Sequence, residues 1–141
     1  MRRVLQRISD DCTYLTARAA DRAGVRADPD RLAALKYVFV TAIEGCVNVA
    51  QHLCASEGWG PPASNADALR VLGAHDVLPP RLADTMARAV GFRNVLVHGY
   101  AEVDDDLVVG FLDRVPELEE FVSRVATWLL RQPDDGEGRS G

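Results

Sequence analysis

Leu32-Ala33-Ala34-Leu35-Lys36-Tyr37-Val38-Phe39-Val40-Thr41-Ala42-Ile43-Glu44-Gly45-Cys46-Val47-Asn48-Val49-Ala50-Gln51-His52-Leu53 sets Leu32, Leu35, Phe39, Ala42, Cys46, Val49 and Leu53 at strictly alternating spacings of three and four. That register is the pattern of a helix packed along a seam. Val40, Ile43, Val47, Ala50 and Cys54 form a second apolar stripe beside the first. Most of the circumference is therefore apolar, which predicts the central helix of a bundle. Just upstream, Asp28-Pro29 offers an N-cap followed by proline at the first helical position, so the helix should run over 29–56. One line breaks the apolar surface. Thr41, Glu44, Asn48 and Gln51 or His52 share a face, and polar groups there must meet solvent, a partner or a cavity.

Working outward, Val4, Leu5, Ile8, Cys12, Leu15 and Ala19 repeat at three and four and predict a first helix over about residues 3–23, with Gly24 ending it. Downstream, Gly58-Trp59-Gly60-Pro61-Pro62 reads as a connection, and Ser64-Asn65-Ala66-Asp67 offers caps for a short helix through about His75. Leu78-Pro79-Pro80 resets the chain for a helix from Pro80 to about His98, with Leu82, Met86, Ala89, Val90 and Val97 inward. Asp104-Asp105-Asp106 then caps a segment bearing Leu107, Val108, Phe111 and Leu112, which Pro116 kinks or restarts as a final helix to about Arg131. Its apolar face is Leu118, Phe121, Val122, Val125, Trp128 and Leu129. No internal repeat or strand pair is visible. The expectation is an all-α up-and-down helical bundle of four main helices plus short ones, a single domain over 1–131, and a disordered tail over 132–141.

The chain has 141 residues, enough for one self-sufficient core. Its formal charge of −5 argues against a general nucleic-acid coat, so any nucleic-acid site must be local. Fifteen of the sixteen basic residues are arginines, a ratio that coding bias alone could produce. Cys12, Cys46 and Cys54 have no CxxC spacing and read as reduced core residues. His52 and His75 lack neighbours at metal-ligand spacing, so neither a metal nor any other cofactor is expected. No signal peptide and no stretch of roughly 18 apolar residues is expected, which points to a cytoplasmic protein without a membrane partner.

Chemistry concentrates in Gly91-Phe92-Arg93-Asn94-Val95-Leu96-Val97-His98-Gly99-Tyr100, at the end of the fourth predicted helix. A guanidinium can hold a phosphate through paired hydrogen bonds, and an imidazole can move a proton near neutral pH. Together they suggest chemistry on a phosphodiester. Asn94 lies four residues before His98 and could orient its ring, while Gly99 is placed to end the helix in the left-handed region. Each residue alone has an ordinary explanation: His98 as a cation at a helix C-terminus, Arg93 as a solvated surface group, Tyr100 as a core-edge aromatic.

In its setting the decapeptide resembles the HEPN superfamily, specifically the HepT-like ribonuclease toxins encoded beside a small nucleotidyltransferase antitoxin. The resemblance extends from about Leu32 to Leu129 and includes Ala42-Ile43-Glu44 and Ala50-Gln51-His52-Leu53 on the long helix. It implies the toxin of a type VII toxin–antitoxin system, an endoribonuclease that cuts RNA without a metal at a homodimer cleft. Arg93 and His98 would be catalytic, with Asn94 and Glu44 in support. Tyr100 matches the family tyrosine that receives AMP from the antitoxin, a modification that would block the cleft by bulk and charge. Gly99 stands where an acidic residue is common in relatives. A rival reading is a catalytically silent module that binds a nucleotide or scaffolds the nucleotidyltransferase.

Overall fold

A computed structural model describes residues 1–99 and 103–133. Helix α1 (Arg2–Ala19) is followed by a short α2 (Arg22–Ala27). The single helix expected up to Gly24 is thus two. Asp21 causes the break: its carboxylate accepts from the Gly24 amide at 3.1 Å and caps α2. Gly24 therefore sits inside α2 and terminates nothing; a Cβ there would lie 2.2 Å from an Asp21 oxygen.

Helix α3 spans Pro29–Ser56 with Asp28 as its cap, accepting from the amides of Asp30 and Arg31 at 3.0 and 3.3 Å. All seven positions of its three-and-four stripe are buried, as are Ile43, Val47, Ala50 and Cys54 of the second. Each fully buried Leu or Phe contributes about 1.5–3 kcal/mol. By length and composition α3 could also cross a bilayer, contrary to the expectation that no segment does. Its stripes are instead taken up by α1, α4, α5 and α7, which pack around it.

Helix α4 (Asn65–Ala74) is capped by Ser64, and α5 runs Pro80–His98. Leu82, Met86, Ala89 and Val90 of α5 face the core, whereas Val97 is only half-buried. Helix α6 (Asp105–Gly110), capped by Asp104, passes through a 3-10 turn (Phe111–Arg114) into α7 (Val115–Arg131). The acidic run does more than cap. Asp105 pairs with Lys36 at 2.9 Å and Asp106 with Arg26 at 2.8 Å, docking α6 on α3 and α2. Arg81 grips Glu120 with two hydrogen bonds of 3.0 and 2.6 Å, tying the start of α5 to α7. Among the described residues every regular element is helical, in keeping with the all-α bundle read from periodicity. The three cysteines are free and buried, and burial pushes the Cys12 thiol up to about 12. Residues 134–141, the greater part of the expected tail, lie outside the described residues.

Candidate active site

Helix α5 carries Arg93 and His98, and α3 supplies the wall opposite. The registration of α5 comes from an aromatic trio: Phe92 stacks on Phe111 at 3.9 Å between ring centroids, and Phe39 of α3 meets both edge-on at 5.6 and 5.4 Å. With Phe92 turned inward, the next residue is carried to the flank of α3. There Arg93 meets the polar line. Its Nε and Nη2 both donate to Glu44 Oε2, at 3.1 and 2.5 Å, and its Nη1 donates to Asn94 Oδ1 at 3.1 Å.

A guanidinium has five N–H donors. Three are used here, which leaves two for another acceptor. The Arg93 side chain is 23% exposed, low enough for a defined conformation and high enough to be reached. Asn94 thus spends its oxygen on Arg93, and no hydrogen bond joins it to His98 among the described residues.

His98 ends α5 and is exposed. On an ideal helix it stands about 7.5 Å along the axis and about 140° around from Arg93. The two side chains share no hydrogen bond within one subunit among the described residues. Gly99 departs from the expected left-handed geometry, with φ −79° and ψ −17°, because its amide continues the helix by donating to the Val95 carbonyl at 2.7 Å. Its small size matters for a different reason. A Cβ there would come within 2.5 Å of that same carbonyl oxygen and 3.2 Å of Val103 Cγ2. Tyr100 lies outside the described residues.

The polar line of α3 borders two depressions. Towards α1, Thr41 donates to Asp11 Oδ2 at 2.8 Å beside Arg7, Glu44 and Asn48. Burial raises the Asp11 carboxyl above its ordinary range, against the lowering effects of the Thr41 hydrogen bond and Arg7. Towards α4, a cleft of 330 Å³ is lined by Glu44, Val47, Asn48, Gln51, Asn65, Val90 and Arg93. In the sequence Asn65 reads only as part of a cap. It joins the cleft through the fold of the 57–64 connection, which no periodicity could reveal. His75 is accounted for by stacking on Trp59 at 4.1 Å. Among the described residues no group of three or more His, Cys, Asp or Glu side chains could hold a metal ion.

Comparison with known proteins places this geometry in context. A family model described as ribonuclease HepT-like matches residues 4–125. An mRNA nuclease HepT of Shewanella oneidensis is 30% identical over 80 residues, 56% of this chain and 60% of that protein. A tRNA nuclease HepT of Aphanizomenon flos-aquae is 31% identical over 95 residues, 67% of this chain and 65% of that protein. The alignments thus take in somewhat less than two thirds of each relative's length. Among solved structures, the tri-AMPylated Shewanella oneidensis HEPN toxin in complex with its MNT antitoxin superposes with a TM-score of 0.82 at 21% identity, covering 89% of this chain and 95% of that one. A toxin–antitoxin complex with AMP-PNP gives 0.76 at 20% identity, covering 88% and 98%.

Proposed function

The chain belongs to the ribonuclease HepT-like family, and from that premise we propose that it is the toxin of a type VII toxin–antitoxin pair. It is an endoribonuclease that cuts RNA without a metal at a homodimer cleft. A nucleotidyltransferase antitoxin neutralises it by adding AMP to Tyr100. The functional unit is residues 1–131, acting in the cytoplasm.

The observation that carries this reading is the anchored guanidinium: Arg93 is held by Glu44 and Asn94 with two N–H groups to spare, on the helix that ends in an exposed imidazole. Those two donors suit a phosphoryl group, where charge grows on the non-bridging oxygens as a ribose 2′-hydroxyl attacks. A bond forms between O2′ and phosphorus while the bond to O5′ breaks, leaving a cyclic phosphate and a free 5′-hydroxyl. His98 takes the proton from the 2′-hydroxyl or delivers one to the departing oxygen. Two subunits supply two imidazoles, so one can serve as base and the other as acid.

The test is direct. His98→Ala and Arg93→Ala should each reduce cleavage of RNA by the purified chain by about 100-fold or more, while both variants sediment as dimers. Equal cleavage by either variant and the parent overturns the catalytic assignment.

A further inference from the structure

The cleft beside Arg93 carries more recognition chemistry than phosphate binding requires. Its lining includes three carboxamides, Asn48, Gln51 and Asn65, together with Val47 and Val90. Gln51 Nε2 donates to Asn65 Oδ1 at 3.2 Å. This single bond leaves the Gln51 oxygen as an acceptor and the Asn65 amide nitrogen as a donor. Asn48 is exposed and makes no side-chain hydrogen bond to the described residues. Glu44 adds an asymmetry: both Arg93 bonds fall on Oε2, and Oε1 takes none from the described residues.

The geometry points to a nucleobase subsite here, next to the scissile phosphate, selective for a base that presents an exocyclic amine, as adenine, cytosine and guanine do, over uracil. The inference rests on the ribonuclease reading above. Carboxamides bind such edges with two hydrogen bonds, one given and one received, and a carboxylate oxygen accepts from a base amine. Uracil has no exocyclic amine and would set a carbonyl oxygen against Glu44. The apolar groups suit a base face, and a volume of 330 Å³ admits one unstacked base of a single strand.

Binding is measured with the full-length His98→Ala chain and short RNA oligomers of A, C, G or U, and cleavage with the unmutated chain on the same four. Oligo-A or oligo-C should bind about tenfold more tightly than oligo-U. The added changes Asn48→Leu and Gln51→Leu should reduce that ratio to near one, with the helical circular dichroism spectrum retained. Equal binding of all four oligomers, or a preference that survives both changes in a folded chain, overturns the subsite. If His98→Ala cuts as well as the parent while the base preference persists, the ribonuclease assignment fails and the base site stands.

Discussion

At the scale of the residue, charge placement sorts what was visible in the sequence from what was not. Arg93 and His98 stood out because few other groups in the chain could do chemistry, and the family resemblance put Glu44 in support of them, where it is found paired with Arg93. The partner of Asn94 was less legible. Spacing i to i+4 puts two residues on one helix face but does not choose between donors, and the guanidinium, whose charge strengthens its hydrogen bonds, takes the amide oxygen. Asp11 was hidden because its burial depends on α1 lying against α3. Its carboxyl is raised by burial from an ordinary value of 3.8, so ionising it costs more in the folded than in the unfolded chain. The stability it contributes is present below the unfolded value and is lost as pH rises through the folded one. Asn mimics the neutral form at every pH. Asp11→Asn should therefore raise the melting temperature at pH 7, and the gain should disappear on acidification to about pH 3. Thermal unfolding at the two pH values checks this; a variant less stable than the parent at pH 7 contradicts the burial argument.

Helix boundaries were readable where the stop and start signals are local. Asp28-Pro29 and Pro79-Pro80 open α3 and α5 at the expected residues because cap and proline act within one turn. The break between α1 and α2 was not read, since an aspartate three residues before a glycine looks the same whether or not its side chain turns back to cap. The Phe39, Phe92 and Phe111 trio joins three elements distant in sequence and so left no periodic trace. Gly99 is the instructive case, because a terminal glycine suggested a left-handed cap and the structure instead uses its lack of a side chain for close approach. Gly99→Ala must move the end of α5, where a methyl group would meet the Val95 carbonyl at 2.5 Å. Since a displacement of about 1 Å can cost on the order of 100-fold in rate, cleavage should fall by about tenfold to 100-fold. The change lies at a helix end outside the core, so the melting temperature should move by only a few degrees. A loss of rate matched by general unfolding would instead make Gly99 a folding residue.

For the whole molecule, the proposed function sets an acidic protein against an anionic substrate. One chain carries a formal charge of −5, so a dimer carries −10, twice that figure. Many of the arginines are committed: Arg22, Arg26, Arg31, Arg81, Arg114 and Arg124 each pair with a carboxylate of the same chain. Arg93 is paired as well, but it retains donors and lies beside a cleft. Under the proposed function, attraction for RNA is short-ranged and confined to the motifs paired across the proposed dimer, in contrast to proteins that coat nucleic acid with a basic face. Salt dependence measures this. If two Arg93 side chains supply the phosphate contacts, the slope of log binding constant against log salt for single-stranded RNA should be about −1.4, from roughly 0.7 per neutralised phosphate. The His98→Ala dimer, titrated between about 50 and 200 mM salt, gives the value without turnover. Replacing Arg93 by alanine in that dimer should flatten the slope towards zero. A steep slope that survives the replacement would mean that a separate basic surface holds the RNA and that the α5 motif is not the principal contact.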